Sequence, residues 1–231
     1  MQTKRLAGVA FTLVTGLGSG AALAQEAPPP SQSTLSITPH LGLVSESAFV
    51  DGLVRFSDGD TDFISIEPRT GLLLGVALNY RFRPKVTGVL ALSYAFADAR
   101  YIEKDNFRRD GGVSTIRLQP GVMVNVVTAG KVDISVGGGL TIARIAIDDF
   151  IWDGTRIDSS STAIGLFGAA GIDIPLSRRM SFHAHLALEL SKPSYGDIED
   201  NLARADGEAA SEVDHDLRSA ILLVAGVTFG L

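Results

Sequence analysis

The sequence has no cysteine, so neither a disulfide framework nor a lipid-modified cysteine anchor is available to it. Beyond its first two dozen residues it has no uninterrupted apolar run of about 18 residues, which rules out a helical membrane span there. It has no excess of positive charge either. With 20 basic against 26 acidic residues, the chain is a poor candidate for nucleic-acid binding. Each absence removes a class, and an all-β chain or a secreted one remains.

What is present begins with a cationic start, Lys4 and Arg5, followed by the apolar stretch Leu6 to Leu23 and a small-x-small exit at Ala22-Leu23-Ala24. This is the three-part layout of a secretory signal peptide, with cleavage expected after Ala24. Residues 1–24 are therefore expected to be removed, leaving 18 basic and 26 acidic residues and a net charge of −8. Residues 25–33, with Pro28-Pro29-Pro30, read as an extended periplasmic linker before the first structured element.

From residue 34 to 231 the chain alternates with period 2, in eight segments: Leu35–Val44, Ile64–Phe82, Val86–Ala97, Ser114–Val127, Val132–Ile147, Thr162–Ile174, Met180–Leu190 and Leu217–Leu231. One phase is apolar, as in Leu72, Leu74, Val76, Leu78, Tyr80 and Phe82. The other is mostly Gly, Ala, Ser and Thr with sparse charges. A water-facing sheet surface would carry denser Lys and Glu, whereas a narrow barrel interior favours small residues and a few paired ions. Connections alternate too. Arg83–Lys85, Thr128–Lys131 and Pro175–Arg179 are short, while Ser45–Phe63, Asp98–Gly112, Asp148–Ser161 and Ser191–Asp216 are long and polar.

The fold expected is all-β, an eight-stranded antiparallel up-and-down transmembrane β-barrel. A strand in hydrocarbon cannot leave its N–H and C=O groups unpaired, so the ladder must close. The even strand count puts both termini on the periplasmic side of a Gram-negative outer membrane. Tyr80, Phe82, Phe182 and Phe229 at one end and Tyr94 and Phe96 at the other make an aromatic girdle at two interfaces. Pro39, Pro68 and Pro120 inside the segments each remove a ladder donor and call for a bulge or a strand end. Beyond Ile142 the fifth segment loses phase, with Arg144 on the lipid side unless a bulge intervenes or the strand has left the bilayer.

The signal peptide, the eight alternating segments and the terminal Val227-Thr228-Phe229-Gly230-Leu231 resemble the OmpA/OmpX/OmpW-type small outer-membrane barrels across the whole mature chain. The resemblance implies contact with outer-membrane lipids and lipopolysaccharide, recognition by the outer-membrane assembly machinery, a monomer, and no cofactor. In those families the last strand ends on an aromatic residue. Here the last residue is Leu231 and the aromatic is Phe229, and no peptidoglycan-binding domain is expected after it.

The inward phase carries Glu67, Arg69, Arg81, Arg117, Asp133, Asp173, Glu189 and Arg218, a candidate ionic network in the lumen with both signs at each level. Ser181, His183, His185 and Glu189 share a face and suggest a hydrolase. However, Ser181 and His183 fall near the periplasmic end, and the order is the reverse of the His-x-Ser of lipid A deacylases. No catalytic residue is assigned. Asp58, Asp60 and Asp62 have calcium-loop spacing, but Phe63 stands where an EF-hand needs Gly and Arg69 where it needs Glu, so they are a weak metal candidate. The expected role is envelope integrity or surface interaction through the long loops; the alternative is a narrow channel or ligand-binding barrel for small, hydrophobic solutes.

Overall fold

The structure, a computed structural model, describes residues 34–47, 50–55, 61–103, 108–152, 155–194 and 217–231. The signal and linker segments, Asp58, Asp60 and nearly all of the acidic 191–216 stretch lie outside them. Asp62 falls within a strand, opposite Val54.

Among the described residues the chain forms ten strands: β1 (Leu35–Glu46), β2 (Val50–Arg55), β3 (Thr61–Pro68), β4 (Gly71–Arg83), β5 (Val86–Glu103), β6 (Arg108–Ala129), β7 (Val132–Trp152), β8 (Thr155–Pro175), β9 (Met180–Ser194) and β10 (Arg218–Gly230). All pairings are antiparallel. β1 pairs with β4 and β10, the others follow in sequence order, and β5–β6 closes the ring. Eight strands make the wall, as the alternation predicts. The β2–β3 hairpin continues it upward, with β3 pairing to the far end of β5 above β4.

The segment expected as one strand over Ile64–Phe82 is therefore two, broken at Arg69-Thr70. Pro68 ends β3 because it has no N–H to donate, and the Arg69 N–H is held by the Asp98 carbonyl at 2.8 Å. The break inverts the phase. Ile66 points inward and is buried, whereas Glu67 and Arg69 are exposed. The placing of Glu67 and Arg69 in the lumen is thus corrected: the pairing with β5 shifts by one residue between Pro68–Ala99 and Leu72–Phe96, so the alternation does not carry through.

Pro39 and Pro120 need no bulge. The register against β10 is the same on both sides of Pro39, and that against β7 the same on both sides of Pro120; one ladder simply loses a bond at each. Beside Pro39 the hydroxyls of Thr38 and Thr228 bridge the gap at 2.8 Å. Register shifts occur instead at Arg81/Arg83, Asn125/Val127 and Ile147/Phe150. The phase loss expected near Arg144 does not take place either. Ala143, Ile145 and Ile147 are buried inward and Arg144 is exposed, so the alternation runs through without a bulge and fits the strand's emergence from the belt.

Most of the segments expected as long loops at Asp98–Gly112 and Asp148–Ser161 are strand. β5–β6 and β7–β8 run on as tall hairpins, and the short β6–β7 turn is made by Gly130-Lys131, with Gly130 at φ 64°, a conformation open to glycine.

The outer face of the wall is an apolar belt. On β4 it runs from Leu72 to Phe82. Ten residue steps at about 3.3 Å, tilted by about 40°, span about 25 Å, the height of a barrel's lipid-facing band. Tyr80 and Phe82 stack edge-to-face at its lower rim, with centroids 4.9 Å apart. Phe182 and Phe229 lie at the same short-turn end, and Tyr94 and Phe96 lie towards the other, all outward. Large apolar residues thus cover the outside of the belt, and the interior combines small and polar side chains with inward apolar ones such as Leu73 and Leu222.

Candidate functional site: the barrel lumen

The inward phase of the eight wall strands stacks in levels. At the short-turn end lie Thr38, Asn79, Arg81, Asp133, Asp173, Ser181, His183 and Thr228, around a cavity of about 220 Å³. Asn79 donates to the Thr38 hydroxyl at 2.9 Å, and Asp133 accepts from Thr128 at 2.6 Å. His183 Nδ1 is 2.9 Å from Asp173, and its Nε2 is 3.0 Å from His185 Nδ1. The His40 ring stands edge-on to His185, with centroids 6.4 Å apart.

Above the histidines the lumen turns apolar. Leu73, Ala95, Ala187, Leu222 and Val224 pack together with Val44 and Ala220, and Ala169 leans on them. Phe167 also points inward here. It pairs with Gly139, which in turn faces Gly121, and a Cβ on Gly121 would come within 2.7 Å of the ring. Two adjacent glycines therefore leave the wall thin where an aromatic ring lies across it.

The next level is ionic. Arg117, Glu189 and Arg218 are all buried, and with them sits Glu46, at the upper end of β1. Glu46 pairs with both Arg117 and Arg218, and Arg117 Nε lies 3.3 Å from Glu189. Glu189 also accepts from Gln119 at 3.3 Å, Thr141 at 3.2 Å and Ser191 at 3.4 Å. Two guanidiniums thus meet two carboxylates, and the leftover carboxylate lone pairs are taken by neutral donors. Several arginine nitrogens, including Arg218 Nε and Nη1, have no hydrogen-bond partner, so this level holds its charge by ion pairing. Ala143 stands opposite Arg117 and Ala163 opposite Ala143, and further along the strands Val113, Ile145 and Ile147 bury apolar side chains inward.

Of the eight residues expected in one lumen network, the structure brings Arg117, Glu189 and Arg218 together. It places Arg81, Asp133 and Asp173 separately at the short-turn end, and Glu67 and Arg69 outside. Glu46 is the residue that sequence reasoning missed. The inward phase Ser36, Thr38, His40, Gly42, Val44 runs straight to it, two residues past the expected strand end. His40, on the same phase, completes the histidine group. The hydrolase set is divided: Glu189 belongs to the ionic level, and His183 and His185 to the floor.

No protein-family model and no curated protein matches the chain. Solved structures do. Neisserial surface protein A aligns at 16% identity and TM-score 0.52, covering 87% of this chain and 100% of that one. The outer membrane protein OprG from Pseudomonas aeruginosa aligns at 14% and 0.52, covering 86% and 96%. Outer membrane protein AlkL in lipid bilayers aligns at 12% and 0.51, covering 91% and 96%. At these identities the likeness is one of fold, and that fold is the small outer-membrane β-barrel.

Proposed function

We propose that the chain is an outer-membrane barrel closed to solutes, which serves the envelope as a rigid wall and presents its tall hairpins at the cell surface. The observation that carries this reading is the ionic level Glu46–Arg117–Glu189–Arg218, buried between an apolar waist and an apolar dome. An ion crossing the barrel would have to break those pairs in a space that water does not share, at a cost of several kcal/mol. The apolar belt supports residence in a bilayer. The short turns at one end and tall hairpins at the other support a periplasmic placing of both termini, as in bacterial barrels generally. Outer-membrane lipids and lipopolysaccharide are the partners this belt suits, and the alternating Val227–Leu231 end suits the assembly machinery.

Two measurements test it. In planar bilayers the folded chain should show no steady single-channel conductance; a steady open current would overturn closure and put the narrow-channel reading first. In intact cells a cysteine placed at Asp206 should label with an impermeant maleimide while one at Lys85 should not. The reverse pattern would invert the barrel.

A further inference from the structure

Three of the chain's four histidines meet on the lumen floor, and two of them face each other nitrogen to nitrogen across one shared proton. His183 Nδ1 is 2.9 Å from Asp173, so the ring proton sits on Nδ1, where the carboxylate accepts it. Its Nε2 is then a lone pair that accepts from His185 Nδ1–H at 3.0 Å, and an ion bound there would displace that one proton. Two imidazole nitrogens on one tetrahedral zinc, at bonds of about 2.0–2.1 Å, stand about 3.3 Å apart. The pair is within a few tenths of an ångström of that spacing.

His40 is arranged in the same way. Its Nδ1 is 3.2 Å from the Thr38 carbonyl oxygen, which accepts a proton and leaves Nε2 basic. That Nε2 lies over Gly75, where a Cβ would collide with it, so no side chain on Gly75 confines the ring. A carboxylate behind a ligating imidazole fixes its tautomer and raises its basicity. Asp173 stands in that place behind His183.

We infer that His183 and His185 hold one divalent transition ion of the zinc or nickel class, taken up through the cavity at the short-turn end. Asp173 orients His183, and His40 supplies a third nitrogen by rotating its ring. Among the described residues no three ligands already converge. Two are therefore in place, the third is recruited by the ion, and water fills the remaining position. Without an ion, Asp173–His183–His185 is a hydrogen-bonded chain tying β8 to β9. The site does not depend on whether the lumen conducts.

The test uses the full chain, folded in detergent without an affinity tag and titrated with cobalt(II) by absorption and with zinc(II) by calorimetry. One ion per chain with a tetrahedral cobalt spectrum is expected. His183→Gln and His185→Gln keep a hydrogen-bonding side chain and should abolish binding, and His40→Gln should weaken it. Asp173→Asn should weaken it about 10–100-fold. Folding of each variant is read independently from its mobility on unheated gels. His215→Ala, at the fourth histidine, should change nothing. Failure of the unsubstituted chain to bind would overturn the site, as would binding that survives His183→Gln with His185→Gln together or is lost with His215→Ala.

Discussion

The same strands build two walls of opposite polarity. Within the belt, Leu140 and Ile142 face out while Gly139 and Thr141 face in; two residues further up β7, Arg144 faces out while Ala143, Ile145 and Ile147 face in. Other strands turn over in the same way: outward Phe96 gives way to Asp98 on β5, Ile164 to Thr162 on β8, and Leu190 to Lys192 on β9. The lower wall puts its apolar phase outside, and the upper wall puts it inside, as a soluble barrel does. The phase of the strand never slips between them. If the barrel sits in a bilayer as proposed, the height at which the outward side chains turn polar would mark its outer edge. The ionic level lies just beneath the apolar dome, where charges on both sides are shielded from water.

The largest effect should come from the joint between the two walls. Glu46 is shared by Arg117 and Arg218, so Glu46→Ala leaves two buried guanidiniums with Glu189 as their one remaining carboxylate. Stranding a buried charge costs about 3–5 kcal/mol. Leu43→Ala, on the lipid face of the same strand, should cost far less, because lipid fills the space it leaves. The comparison is read from urea midpoints of barrels folded into vesicles. Equal losses for the two variants would mean that water enters the ionic level and that the upper wall does not seal it.

A charge scan along the outer face of β7 should draw the boundary itself. Leu140→Arg puts a cation in the belt, where the cost is about 2–4 kcal/mol near the midplane. Arg144→Leu, only one outward position above Ile142, should change stability by less than about 1 kcal/mol, as substitutions near the interface do. If Arg144→Leu stabilised the barrel strongly, the bilayer would reach past Arg144 and the polarity turnover would have another cause.

The lower wall was legible from the sequence because one pattern holds along it: large apolar residues out, mostly small residues in. Its eight strands, its girdle and Arg117, Glu189 and Arg218 follow from that pattern. The upper wall was hidden for the same reason. Where Arg144, Asp98 and Lys192 take the outward positions, the outward apolar pattern stops, and the strands read as polar loops although Ile145, Ile147 and Val113 keep the alternation inward. Glu46 was lost at such an end. Glu67 and Arg69 were misplaced because the chain breaks after Pro68, and the register against β5 shifts by one residue across the break, which exchanges the faces. The histidine floor could not be assembled by phase alone, since His40 comes from β1 and the other two from β9, with β10 between them.

The smallest expected effect lies at the lower rim, where the belt meets water at the short-turn end. Gly88 takes an outward position on β5, and Phe82 lies over it: a Cβ built on Gly88 would stand 2.5 Å from the ring's Cε2. The ring covers backbone that lipid headgroups and water would otherwise reach, and it is held edge-on by Tyr80. Such an aromatic pair contributes about 0.5–1.5 kcal/mol beyond its area. Gly88→Ala should push the ring off and cost about 1 kcal/mol, although alanine is the better strand residue elsewhere. Phe82→Ala should cost a similar amount. The decisive quantity is the double variant. If Phe82 acts by covering Gly88, adding Gly88→Ala to Phe82→Ala should cost nothing further, and the coupling should equal the whole single-variant loss. Strict additivity would mean that Phe82 is an anchor in the interface on its own account and that the bare glycine beneath it is incidental.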